Sequence, residues 1–108
     1  MVKTSEYITK NFSEIQKPIV NKLKILNREL EGELDLKGFT NLEILQCSYN
    51  RLNVDTLSSE LLGLDLRRSE LRLDLNKFSR LKNLFSLKLG GNEIIGSLEA
   101  LKNIKNLT

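Results

Sequence analysis

The template L-x-x-L-x-L-x-x-N-x-L can be laid on this chain four times, and no other feature restricts its fold so strongly. The clearest copy is Leu84, Leu87, Leu89, Asn92, Ile94. The others are Leu42, Leu45, Cys47, Asn50, Leu52; Leu61, Leu64, Leu66, Ser69, Leu71; and Val20, Leu23, Ile25, Arg28, Leu30. Copy starts at 20, 42, 61 and 84 give spacings of 22, 19 and 23. Those lie close to the period of about 20–29 for a short solenoid repeat. All sixteen hydrophobic template positions are filled in a chain that is 40% hydrophobic. By chance that has a probability on the order of 10⁻⁷, or about 10⁻⁴ once the spacings are free to slide. Leucine alone supplies 23 of the 108 residues, and tryptophan is missing.

The period inside each copy decides between strand and helix. Leu64/Leu66, Leu71/Leu73/Leu75 and Leu87/Leu89 alternate with period two, which suits strands and argues against an amphipathic helical bundle. The spacing therefore predicts an α/β solenoid with one short parallel strand per repeat on its concave face. Template leucines point inward and alternate residues point out. The template asparagine falls where the chain turns, and its amide can satisfy backbone groups that the turn leaves unpaired. Asn50 and Asn92 keep it, whereas Arg28 and Ser69 depart from it. Three-residue steps (Leu36, Phe39, Leu42; Leu75, Phe78, Leu81, Leu84; Leu98, Leu101, Ile104, Leu107) predict 3₁₀ or irregular convex segments.

The ends break the pattern. Residues 1–19 read as an N-terminal capping helix and linker. Ile8, Phe12 and Ile15 fall at helical spacing, Ser5 is the expected N-cap, and Pro18 marks the helix end. Residues 20–108 read as about four repeats, truncated at the C-terminus, because Thr108 falls where a fifth copy should begin. The strand of Leu87 and Leu89 is then expected to lack a following strand. A bare edge invites weak self-association, with Lys102 and Lys105 opposing it.

Several kinds of chemistry are excluded on residue type. There is no histidine, and Cys47 is the one cysteine, so neither a disulfide nor a cysteine-based metal site is expected. At a template strand position, Cys47 reads as a small buried hydrophobe. No P-loop, dinucleotide glycine pattern, metalloprotease helix or nucleophile elbow is present. Gly90-Gly91 lies in the turn before Asn92 and reads as turn glycine. Nothing in the sequence converges Asp35, Asp65, Asp74 or Glu93 on one point. No enzymatic activity, cofactor or metal is expected. The net charge of +3 is spread without a long basic run, so nucleic acid is not expected either. Without a leader-like start or a stretch of about 20 apolar residues, no membrane association is expected and the chain reads as cytoplasmic. The sequons at Asn11 and Asn106 then carry no weight.

The outward strand and turn positions define the expected binding surface. They are Lys22 and Lys24; Ile44, Gln46, Ser48 and Tyr49; Gly63, Asp65, Arg67 and Arg68; and Ser86, Lys88 and Gly90. Ile44 and Tyr49 sit amid five basic residues and one acidic residue, a common composition for an interaction hot spot.

From Leu30 to Asn50 the chain reads LEGELDLKGFTNLEILQCSYN. This resembles the LeGsLdLsxFxNLexLdCSxN run of eukaryotic cytoplasmic leucine-rich repeat proteins, and most of all the large families expanded in mycorrhizal fungi. In those families a segment like Tyr7-Ile8-Thr9-Lys10-Asn11-Phe12 precedes the first repeat. The resemblance implies a leucine-rich repeat fold and protein–protein interaction, sometimes within a longer signalling protein. The expected function is therefore a module that binds a protein, one offering acidic residues, through its concave face. The alternatives are a purely structural segment of a longer array and a weak binder of an anionic partner such as nucleic acid or acidic lipid.

Overall fold

In a computed structural model the chain is a solenoid of short parallel strands with one α-helix, described at residues 2–26, 29–53, 57, 59–102, 104 and 106–107. Strand β1 (Val2–Lys3) leads into α1 (Thr4–Asn11). Then follow β2 (Lys22–Lys24), β3 (Leu30–Glu33), β4 (Ile44–Gln46), β5 (Arg51–Asn53) and β6 (Gly63–Asp65). The remainder are β7 (Arg72–Asp74), β8 (Ser86–Lys88), β9 (Glu93–Ile95) and β10 (Asn106–Leu107). The main sheet has the order β10-β8-β6-β4-β2, all parallel, with Leu23, Leu45, Leu64, Leu87 and Leu107 in one register. The first four are strand leucines of the sequence template. Ile25, Cys47, Leu66 and Leu89, two residues on, are all buried, so the two template columns form the inner wall of a single core. Each fully buried leucine contributes roughly 1.5–3 kcal/mol of hydrophobic stabilisation, and stacking neighbours is what buries them.

The return segments include 3₁₀ turns at Leu75–Phe78 and Leu98–Leu101, where three-residue steps suited them. Each begins on a side-chain cap. Asp74 accepts from the Asn76 amide at 3.0 Å, and Ser97 from the Glu99 amide at 3.1 Å.

The N-terminal segment departs from expectation. Helix α1 ends at Asn11, and Phe12 is already extended. Ser5 lies inside the helix and is not its N-cap. Thr4 is buried, and its hydroxyl donates to the Glu31 carbonyl at 2.8 Å, tying the helix start to β3. Beside it β1 pairs with β3 in parallel, a contact the helical spacing gave no sign of. Ile8 enters the core and the Phe12 ring meets Phe39 edge-on at 5.4 Å, but Ile15 is 83% exposed. Pro18 does not end α1; it starts a separate 3₁₀ turn, Lys17–Ile19, where its missing N–H costs nothing.

The far end departs too. β8 does have a following partner: Asn106 pairs with Ser86 and Leu107 with Leu87. The expectation of a bare β8 edge took Leu107 for the first template leucine of a new copy, whereas it takes the strand position. Arg28, Lys105 and Thr108, singled out from the sequence, lie outside the described residues.

The repeats alternate. In the second sheet Gly32, nine residues after Leu23, pairs with Leu52, seven after Leu45. In the third, Leu73, nine after Leu64, pairs with Ile94, seven after Leu87. The first and third turns are therefore two residues longer (9 − 7 = 2). Both bend through a left-handed residue at the same place, Glu29 and Glu70, each at φ 54°. These are the two copies that lack the template asparagine.

Candidate functional site

The asparagines explain that alternation. Asn50 accepts from the Leu30 amide at 3.0 Å and donates to the Ile25 carbonyl at 2.5 Å. Asn92 accepts from the Leu71 and Ser69 amides at 3.0 and 3.1 Å and donates to the Leu66 carbonyl at 2.8 Å. Each asparagine thus clamps the long turn of the preceding repeat. Each also donates within its own turn, to the Cys47 and Leu89 carbonyls respectively. Among the described residues no buried side-chain nitrogen or oxygen lacks a partner.

The clamped turns hold one rim of the open face of the main sheet. In strand register that face presents Lys22, Ile44, Gly63 and Ser86 in one column and Lys24, Gln46, Asp65 and Lys88 in the next. Lys22 and Lys24 are exposed, Gln46 and Lys88 half-buried, and Ile44 just exposed at 37%. Ile44 leans toward Gly63, where an added Cβ would meet its two branch carbons at 3.7 Å. Tyr49 and Arg68 project from the turn, both held in the left-handed region at φ 61° and 52°. The sheet ladder imposes that conformation. The Tyr49 amide donates to the Arg67 carbonyl at 3.0 Å and the Arg68 amide to the Gly90 carbonyl at 2.8 Å.

Two expected surface residues behave differently. Ser48 is 3% exposed and faces inward, because strand alternation ends at Cys47 and the chain curls into its turn. Asp65 is buried and engaged. Arg67 grips it through two side-chain nitrogens at 2.9 and 2.8 Å and through its own amide at 3.1 Å. Burial by itself would raise the Asp65 pKa. The Arg67 hydrogen bonds and the charges of Arg67 and Lys88 outweigh it and hold the carboxyl below its ordinary value of 3.8. Arg67 is therefore occupied within the fold. Lys22, Lys24 and Arg68 have no ion-pair partner among the described residues.

Cys47 is fully buried and its thiol is pushed up to about 12 by burial, with Asp65 adding to the effect. It is a core residue, not a nucleophile poised as thiolate. Among the described residues no cluster of three or more acidic or cysteine side chains could hold a metal ion, and no helix is long and apolar enough to cross a membrane.

Leu62 and Phe85 were missed by reading only strand and turn positions. They sit two residues before the strand leucines Leu64 and Leu87, on the rim opposite the turns, and both are exposed. The available signal was the doubled hydrophobic in Leu61-Leu62 and Leu84-Phe85, of which the core needs only the first. Set against protein-family models, curated proteins and solved structures, the chain matches none.

Proposed function

We propose that this chain is a leucine-rich repeat segment of cytoplasmic type that binds a protein through the open face of its main sheet, and that it is not an enzyme. Lys22, Lys24 and Arg68, cations without an ion-pair partner among the described residues, stand around the exposed Ile44 and Tyr49 and carry the reading. A buried aromatic or aliphatic anchor within a polar rim is where interfaces concentrate their energy. Gly63 supports it. A glycine inside a strand costs stability, and here neither a left-handed φ nor a steric conflict asks for it. It leaves the backbone beside Ile44 uncovered by a side chain of its own. The partner that fits offers acidic residues around an apolar side chain. Arg67 contributes by fixing Asp65, which keeps the one acidic group of the face neutralised.

The test is affinity capture with the chain and with a Lys22→Glu/Lys24→Glu/Ile44→Ser variant whose circular dichroism is unchanged. A protein retained by the first and lost by the second supports the reading. Identical captures by both overturn it. Binding that survives nuclease treatment and falls only mildly with salt distinguishes a protein from nucleic acid, whose binding falls steeply.

A further inference from the structure

We infer that the outer edge of β2 is a docking site for an extended segment of the partner protein. The segment pairs with the strand through its backbone and sets acidic side chains opposite Lys22 and Lys24. This rests on the proposed binding of an acidic protein and adds the way in which that protein is held.

The edge follows from the ladder. The Ile25 amide donates to the Gln46 carbonyl at 2.9 Å, and the Asn21 carbonyl accepts from the Glu43 and Ile44 amides at 2.8 and 3.1 Å. Backbone groups of alternate residues point to opposite sides of a strand. Residues 21, 23 and 25 therefore turn toward β4, and the amides and carbonyls of Lys22 and Lys24 turn away from it. β2 is the last strand of its sheet, and none of these four groups has a hydrogen-bond partner among the described residues. The N-terminal segment caps the first repeat elsewhere. β1 pairs with β3, the Thr4 hydroxyl donates to the Glu31 carbonyl, and the Asn41 side-chain amide donates to the Pro18 carbonyl at 2.7 Å. These ties lie at β3 and ahead of β4, and none of them runs along β2.

The side chains on this edge say what fits it. Of β2, β4, β6 and β8, only β2 carries a cation at both outward positions. Lys22 and Lys24 stand about 6.6 Å apart along the strand. Both are exposed and have no ion-pair partner among the described residues. Asp65 is two strands away and held by Arg67. Lysines on an edge ordinarily keep edges apart. Here they oppose a second copy of β2, because pairing two such edges would set lysines opposite one another. They favour a strand with Asp or Glu at alternate positions, which meets the backbone groups and both charges at once. An added strand is held by its main chain and selected by its alternate side chains.

The experiment uses the full chain, isotopically labelled, and three synthetic hexapeptides. One alternates glutamate with threonine, which favours the extended form. The second has the same sequence N-methylated throughout, and the third alternates lysine with threonine. Amide shifts and amide exchange are followed by NMR. The glutamate–threonine peptide is expected to bind saturably and to slow exchange of the Lys22 and Lys24 amides. N-methylation removes the donors for the Lys22 and Lys24 carbonyls but keeps the charge, so that peptide should bind about tenfold more weakly or worse. The lysine–threonine peptide should not bind. Lys22→Gln/Lys24→Gln keeps the backbone and the core and should also weaken binding by about tenfold or more. The proposal is overturned if the N-methylated peptide binds equally well or if the lysine variant binds unchanged. Shifts at Ile44, Gln46 and Lys88 with exchange at Lys22 and Lys24 still fast would overturn the edge and leave the open-face reading standing. If no peptide binds yet the affinity capture succeeds, the edge alone fails; if both come out empty, both readings fail. Slowed exchange of the two amides that depends on protein concentration, without peptide, would make a second copy the occupant and would likewise overturn the proposal.

Discussion

Two asparagines and one aspartate carry the polar side of this fold. Asn50 is fully buried and Asn92 only partly so, although each accepts from the corresponding amide, Leu30 or Leu71, and donates to the corresponding carbonyl, Ile25 or Leu66. Leaving buried backbone groups unpaired costs about 1–3 kcal/mol, and water repairs the loss where it can enter. Asn50→Ala is therefore expected at the upper end of that range and Asn92→Ala nearer the lower, measured by urea denaturation. Equal losses would show that the clamps do not depend on burial. Ser69→Asn restores the template residue, and template logic alone makes it neutral. The structure argues otherwise. Ser69 is buried, its repeat has the longer turn, and its own amide is already held by Asn92. The larger side chain should cost about 1–3 kcal/mol through overpacking; a neutral or stabilising result would restore the template reading.

Asp65 makes stability depend on pH. Its folded pKa lies below the ordinary 3.8, so the unfolded chain binds the proton more readily. The stabilisation is complete above about pH 4 and is lost as pH falls through the lower folded value. Asp65→Asn keeps the shape without the charge. The stability gap between the native chain and this variant should be constant near neutrality and shrink below about pH 4. A gap that stays constant down to about pH 2 would mean that Arg67 does not favour the charged form.

At the scale of the element, the chain leaves β4, β6 and β8 through a left-handed residue four positions after the strand leucine: Tyr49, Arg68 and Gly91. Gly91 has φ 77°, and a Cβ there would lie 2.6 Å from the Arg68 Cγ and 3.2 Å from its backbone. Gly90 has open space around it. Gly91→Ala should therefore destabilise by about 1–3 kcal/mol, from conformational strain and from displacing Arg68. Gly90→Ala should stay within about 0.5 kcal/mol. Thermal melts of both variants check this, and similar losses would place the left-handed turn elsewhere.

The main-sheet strands β2, β4, β6 and β8, their register and their inward leucine columns were legible in the sequence, because burial on one face forces period-two spacing and fixes register. β1, β10 and the further strands of the second and third sheets went beyond the one strand per repeat that was expected. The two extra residues in alternate turns were not legible either. The template counts positions up to the asparagine, whereas the difference arises after it. Arg28 and Ser69 looked like defects for the same reason: the asparagine that serves a long turn stands in the next repeat. On the open face, Lys22, Lys24, Ile44, Gln46 and Lys88 were placed by alternation, and Tyr49 and Arg68 by their position in the turn that follows it. Ser48 was misplaced because alternation stops where the strand does, and the Asp65–Arg67 grip depends on a turn geometry that spacing does not encode.

The whole molecule measures 39 × 28 × 17 Å, and one continuous apolar cluster links Ile8 in the N-terminal helix to Leu101 in the last 3₁₀ turn. The asparagine clamps join the first repeat to the second and the third to the fourth. Across the middle junction the side-chain ties among the described residues include the exposed Arg51–Glu70 pair at 2.5 Å, which contributes little in water, and the Arg80 guanidinium, which donates to the Leu57 carbonyl at 2.6 Å. Cohesion there rests on the pairing of β4 with β6 and on the inner columns, where Leu66 stands between Cys47 and Leu89. Leu66→Ala opens a cavity at that junction and should cost about 2–5 kcal/mol, out of a total of about 5–15 for a domain of this size. Because each repeat is stable only against its neighbours, that loss should lower the midpoint for the whole chain without dividing it. Urea unfolding followed by circular dichroism and by amide exchange should give one coincident transition in both forms. A shift worth under about 1 kcal/mol would place Leu66 outside the core. Two separated transitions in the variant would show that the clamped pairs fold as independent halves, and that the continuous core does not couple them.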